Sequence, residues 1–146
     1  MIANERQYSV TQTQVRHFES ALGALEAKAR PDLHPLLRQA HRDAMLSQLE
    51  TLRGELSEYE ALKTGARRQL TLHSLEELPQ VLIQGRIAAG LKQRDLAERL
   101  GVKEQQVQHD EQILYASASL ERLLRVAEAL DLRFEGQVYF ATPRAS

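Results

Sequence analysis

Residues 92–111 read KQRDLAERLGVKEQQVQHDE. Leu96, Ala97 and Leu100 mark one face of a short helix, the Gly101-Val102 pair breaks it, and Val107 resumes the pattern on a second. Two helices this short cannot stand alone, because a single turn costs more than it returns and packing must supply the rest. They belong to a larger helical unit, and the spacing fixes how. Ala97 is small where the two helices cross. Gly101 can take φ > 0, which lets the chain leave one helix and enter another within three or four residues. Val102 plugs the inside of the turn, and Val107 pins the second helix to an interior shared with Ile87, Leu96, Leu100, Leu123 and Leu130. The spacing therefore predicts a helix-turn-helix. With its apolar positions inward, the second helix presents Glu104, Gln105, Gln108 and His109 outward, with Lys103 and Gln106 near the edge.

That outward set carries a specific chemistry. A glutamine amide offers a donor and an acceptor together, the pattern that reads adenine in the major groove; lysine reaches guanine or phosphate, and glutamate accepts from cytosine. Gln93, opening the first helix, sits where a side chain and free backbone N–H groups can hold a phosphate. Lys92 and Arg94 add positive charge beside it.

The combination of Gln93, Leu96, Ala97, Gly101, Val102, Val107 and Glu111, spaced Q-x-x-L-A-x-x-x-G-V-x-x-x-x-V-x-x-x-E, resembles the lambda-repressor-like (Xre-type) helix-turn-helix family over about residues 80–131. The resemblance implies a five-helix DNA-binding domain that acts as a homodimer on palindromic operators in double-stranded DNA. It also implies that Gln93 anchors a phosphate and that Glu104, Gln105, Gln106 and His109 occupy base-reading positions. Two residues depart from the family pattern. Lys103 stands where Ser or Thr usually caps the second helix, and a lysine cannot cap. The His109-Asp110 pair sets an acid beside the expected DNA face. Further upstream, Asn4-Glu5-Arg6-Gln7-Tyr8, a Leu-rich hairpin and Glu58-Tyr59-Glu60 resemble HigA-type antitoxins, which implies a toxin protein as partner and repression of the protein's own operon.

The whole chain frames this reading. Its 146 residues suit one ordinary domain or two small ones. Apolar residues make up 42% but aromatics only 5%, with no Trp, which favours helices packed with Leu, Val and Ala over a sheet-rich fold. There is no cysteine, which excludes disulfides, thiolate metal sites and a cysteine nucleophile and fits a cytoplasmic protein. No apolar run approaches a membrane span and no signal-peptide core opens the chain. The net charge is −1, and residues 81–130 hold seven basic and seven acidic side chains, so a basic face can arise only by segregation.

Outside the central motif the pattern is helical. Thr11 to Gln14 reads as a capping box, followed by a seam of Val15, Phe18, Leu22, Leu25 and Ala29. Arg30-Pro31-Asp32 interrupts, and Pro31 or Pro35 starts a second helix with Met45, Leu49, Leu52, Leu56 and Tyr59, closed at Gly65. Residues 11–64 thus predict a helical hairpin. Residues 65–73 are a linker or a short strand. Ser74 to Glu77 is a second capping box, leading into a helix with Leu78, Val81, Leu82, Ile83, Ile87 and Ala88. Ser117 or Ser119 caps a further helix with Leu120, Leu123, Leu124, Ala127 and Leu130. In 132–140, LRFEGQVYF, apolar and polar residues alternate, which predicts a half-buried strand paired either with 65–73 or with the same strand of a second subunit.

The expected fold is mostly α. A helical hairpin over 1–65 serves dimerisation or partner binding, and a five-helix helix-turn-helix domain with a short C-terminal β-strand fills 66–146. His34 and His41 lie two helical turns apart with no third ligand between them, no phosphate-binding glycine loop occurs, and Ser117 and Ser119 lack a nucleophile context, so neither metal, cofactor nor catalysis is expected. The reading is of a DNA-binding repressor. The competing one is a protein-interaction adaptor, or toxin neutraliser, that uses the helix-turn-helix only as a scaffold.

Overall fold

A computed structural model describes residues 1–27 and 34–143, and within them six α-helices. Helices α1 (Glu5–Ala27) and α2 (Pro35–Lys63) form an antiparallel hairpin. Its seam is the narrow stripe that the heptad-like spacing marked. Val15, Met45, Leu49 and Tyr59 are buried, and Phe18, Leu22, Leu25, Leu52 and Leu56 are half-buried beside them. Ala29, Arg30, Pro31 and Asp32 lie outside the described residues. His34 caps α2, its Nδ1 accepting from the Leu36 backbone N–H at 3.1 Å.

The first helix starts earlier than the Thr11 capping box suggests. Asn4 Oδ1 accepts from Gln7 N–H at 2.9 Å, and Gln7 Oε1 accepts from Ala3 N–H at 2.7 Å. This reciprocal pair satisfies orphan donors at the helix start. Thr11 is instead buried in the middle of α1. A threonine with an amide three residues on reads as a cap in sequence, but here α1 is already continuous past it.

The linker reading of 65–73 holds: residues 66–73 have no regular structure, with Leu70 and Leu72 half-buried. Ser74 Oγ then accepts from Glu76 N–H at 3.2 Å and Glu77 Oε2 from His73 N–H at 2.8 Å. This box opens a single 3-10 turn, Leu75–Glu77, which runs into α3 (Leu78–Ala88) with Pro79 in its first turn. Helices α4 (Gln93–Leu100) and α5 (Glu104–Gln112) follow, and Ser119, not Ser117, caps α6 (Leu120–Ala129), its Oγ accepting from Arg122 N–H.

Two expectations about the C-terminal half are corrected. The domain has four α-helices after the 3-10 turn among the described residues, not five. The chain leaves α5 through Leu114 and Tyr115 (φ 52° and 53°) and leaves α6 through Asp131 (φ 53°), all left-handed, after which it runs on without helix. There is also no strand among the described residues: 132–140 makes no ladder with 65–73 or with anything else in the chain. The alternation is present, but no strand edge among the described residues receives it.

The hairpin and the C-terminal half share one core. Ile2, Tyr59 and Leu62 join Leu82, Ile83, Ile87, Leu96, Ala97, Val107, Tyr115, Val126, Ala127 and Leu130 in a single buried cluster. The residues at the hairpin's open end draw it onto that cluster. Tyr8 stacks on Tyr59 with centroids 5.0 Å apart, the Tyr8 hydroxyl donates to Glu60, and Lys63 pairs with Glu5. No helix among the described residues is long and apolar enough to cross a membrane.

Ile2 tests this shared core. It is 4% exposed although it lies in the first turnless residues of the chain. Replacing Ile2 with Ala is expected to cost about 2–4 kcal/mol in urea unfolding of the full chain. A cost within error of zero would place the N-terminal segment outside the core.

Candidate nucleic-acid interface

The turn between α4 and α5 is built as the spacing requires. Gly101 has φ 68°, its N–H bonds the Glu98 carbonyl at 3.2 Å, and Val102 N–H bonds the Ala97 carbonyl at 3.0 Å. This doubly bonded left-handed stop satisfies the last carbonyls of α4 and turns the chain into α5. Leu96 and Val107, 0% and 1% exposed, lock the two helices from behind, with Leu100, Val102 and Leu123 half-buried around them. At the start of α4, Asp95 accepts from Lys92 N–H at 2.8 Å. Lys103 opens α5 with no side-chain cap, as its chemistry dictates.

Residues Lys103, Glu104, Gln105, Gln108 and His109 are exposed on α5, and Lys92 and Arg94 are exposed at the head of α4. Gln106 is half-buried and its amide donates to Asp110 at 3.1 Å, while Gln108 donates to Glu104 at 3.2 Å. Gln105 and His109 have no such tie. Gln93 is half-buried, and its Nε2 donates to Glu111 at 2.7 Å, which leaves one N–H and the carbonyl oxygen of the amide free.

Glu111 is held from the other side by Arg86. The Arg86 Nε and Nη2 donate to the two carboxylate oxygens at 2.5 and 3.0 Å, and both side chains are about as buried as a leucine core, 3% and 5% exposed. Arg86 Nη1 donates to the Leu91 carbonyl at 2.8 Å, and Nη2 also donates to the Ala3 carbonyl. One guanidinium thus ties α3, the α3–α4 corner, α5 and the segment before α1. Arg86 is not among the residues that the spacing of the motif singles out. Its signal was a lone basic residue inside the apolar run of α3, with an acid 25 positions on in the same motif.

The acid beside the DNA face is also corrected. Asp110 does not point outward. It is 5% exposed, and its Oδ2 lies 2.6 Å from Arg122 Nη2, an ion pair not aligned as a hydrogen bond. Asp110 thereby fastens α5 to α6. Burial, with Glu111 and Asp110 close by, pushes the Tyr115 hydroxyl well above its ordinary range, so it stays neutral between α5 and α6.

The open end of the hairpin forms the other wall of a cleft of about 920 Å³ beside α5. Glu5, Lys63, Lys92, Gln93, Glu104 and Gln108 line it. The Lys63 hydrogen bond, then the charges of Lys63 and Lys92, hold the Glu5 carboxyl below its usual range. The hairpin therefore flanks the polar face of α5 without covering it.

The family model described as Helix-turn-helix matches residues 82–137. Residues 82–137 form a helix-turn-helix domain of the lambda-repressor-like (Xre) type. The match begins within α3 and takes in α4, α5 and α6, and it leaves the hairpin outside. No curated protein and no solved structure matches the chain. DNA-binding regulators carry this domain, and its second short helix is the element that enters the major groove.

The buried pair makes a sharp prediction. Arg86→Met alone is expected to destabilise the full chain by about 3–5 kcal/mol, because Glu111 is left buried and unpaired. Adding Glu111→Leu should recover most of that loss, as read by denaturant unfolding in a double-mutant cycle. Equal losses that simply add would show that the two side chains are not coupled.

Proposed function

We propose that the protein is a sequence-specific transcription repressor, acting in the cytoplasm as a homodimer on a palindromic operator. The observation that carries this is the face of α5: Lys103, Glu104, Gln105, Gln108 and His109 are exposed together on a helix anchored from behind by Val107 and Glu111. Gln105 has the free amide best suited to an adenine edge, and Glu104 and His109 flank it. Lys92, Arg94 and the remaining N–H of Gln93 sit at the start of α4, where phosphate is held.

The hairpin supports an antitoxin-like, autoregulatory role as the finer reading. Val10, Leu36, Leu37 and Leu46 are exposed on its two helices, apolar surface that a partner protein can bury. On this reading a toxin binds the hairpin while the helix-turn-helix represses the shared operon. The scaffold alternative, in which the helix-turn-helix binds no DNA, leaves the exposed amides of α5 without a task.

The test is a gel-shift titration with the DNA upstream of the protein's own gene, run over a salt series. Affinity should fall steeply with salt as phosphate contacts release counterions. Gln105→Ala should cost about 1–3 kcal/mol on the operator and relax preference at one base position. Gln93→Ala should weaken all sequences alike. A Gln105→Ala curve that overlays wild type would remove α5 from the groove, and salt-independent binding would reject the phosphate contacts.

A further inference from the structure

The segment after α6 is anchored at one end and bare along the rest. Leu132 N–H bonds the Ala127 carbonyl at 3.0 Å, and its side chain lies against Gly85 of α3, where a Cβ would meet Leu132 Cδ2 at 2.9 Å. Beyond Leu132 the chain has no helix and no ladder through residue 143. Phe134, Val138, Tyr139 and Phe140 are 49%, 82%, 86% and 92% exposed. The side-chain contacts are local ones, Arg133 with Glu135 and the Tyr139 hydroxyl with Gln137. Unpaired backbone beside alternating large apolar residues is an edge that seeks another strand.

The alternation has a symmetry that names the occupant. The apolar row Leu132, Phe134, Gly136, Val138 and Phe140 reads the same in kind from either end, with Gly136 at its centre. We propose that 132–140 pairs antiparallel with the same segment of a second copy, with the two-fold axis at Gly136. Leu132 then faces Phe140 and Phe134 faces Val138 on one side of the ribbon. Arg133 faces Tyr139 and Glu135 faces Gln137 on the other. All nine residues pair and no like charges face each other. A slip of one residue sets the apolar row against the polar row. An axis at Glu135 sets that carboxylate against its own copy, which is unfavourable.

A two-stranded ribbon is marginal by itself and needs an apolar surface to lie on. Leu120 and Leu124, one turn apart on α6 and 68% and 61% exposed, are apolar surface of the same half of the chain that such a ribbon can cover. Eight residue steps at about 3.4 Å hold the two Leu132 anchors about 27 Å apart. The pairing deepens the homodimer part of the proposed function by naming its interface.

The experiment uses the full chain, which has no cysteine of its own. Facing residues in an antiparallel pair have Cα atoms about 4.5–5.5 Å apart, within disulfide range. Gly136→Cys should therefore oxidise to a covalent dimer, whereas Phe140→Cys, about 27 Å from its copy, should stay reduced. In sedimentation without DNA the wild type should dimerise, and the double variant Val138→Lys with Phe140→Lys should raise the dimer dissociation constant at least tenfold. A wild type that stays monomeric, a dimer indifferent to the lysines, or cross-linking at 140 as fast as at 136 each overturns the pairing. Binding to a single half-site is measured in parallel. If that binding persists while the pairing fails, the DNA reading stands without this dimer.

Discussion

The placement of α5 depends on one guanidinium. Arg86 is charged, nearly out of contact with water, and spends four hydrogen bonds on Glu111, the Leu91 carbonyl and the Ala3 carbonyl. Taking such a pair out of water costs several kcal/mol per ion before its mutual attraction repays it, so the geometry has to be nearly complete to persist. Lysine could not serve, because an ammonium has three donors and no planar fork to match a carboxylate side-on. What the pair contributes is position. Glu111 cannot shift along α5 without breaking both of its bonds to Arg86 and the one it accepts from Gln93, so Gln93 at the head of α4 and helix α5 keep one register. The bond to Ala3 extends the same constraint to the segment before the hairpin, beside Ile2, which is itself buried in the core.

What the sequence disclosed and what it withheld divide along contact distance. The helix-turn-helix was legible because its defining contacts are close in sequence: Ala97, Gly101, Val102 and Val107 meet within one short stretch, so their spacing encodes the turn. The hairpin stripe was legible for the same reason, each seam residue repeating every three or four positions. The Arg86–Ala3 bond spans 83 positions, and the Arg122–Asp110 pair joins two helices. A buried charge looks like a surface charge until its partner is known. Thr11 misled in the opposite way, since a capping box is a purely local pattern and helix continuity through Asn4 and Gln7 overrides it. The strand at 132–140 was half legible. Its alternation is real, but a strand is defined by a neighbour, and no segment among the described residues supplies one.

Residues 81–130 carry as many acids as bases, so any basic face depends on where the fold places each sign. Of the acids between 81 and 130, Asp110 and Glu111 are buried against Arg122 and Arg86, and Asp95 turns back onto the Lys92 N–H. Asp110 and Glu111 are thereby withdrawn from the surface that a duplex would meet, while Asp95 stays partly exposed beside Arg94. The arginines withdrawn with them come from α3 and α6, not from the face of α4 and α5. Lys92, Arg94 and Lys103 remain exposed there, with Glu104 the acid among the outward residues at the start of α5 and Gln108 bonded to it. A sequence with equal numbers of acids and bases can thus leave a helix less acidic on its outer face, because two acids of α5 are paired in the interior with arginines supplied by α3 and α6. Counting charges along a chain measures its composition; the field a phosphate backbone meets is set by which of those charges the core has already neutralised.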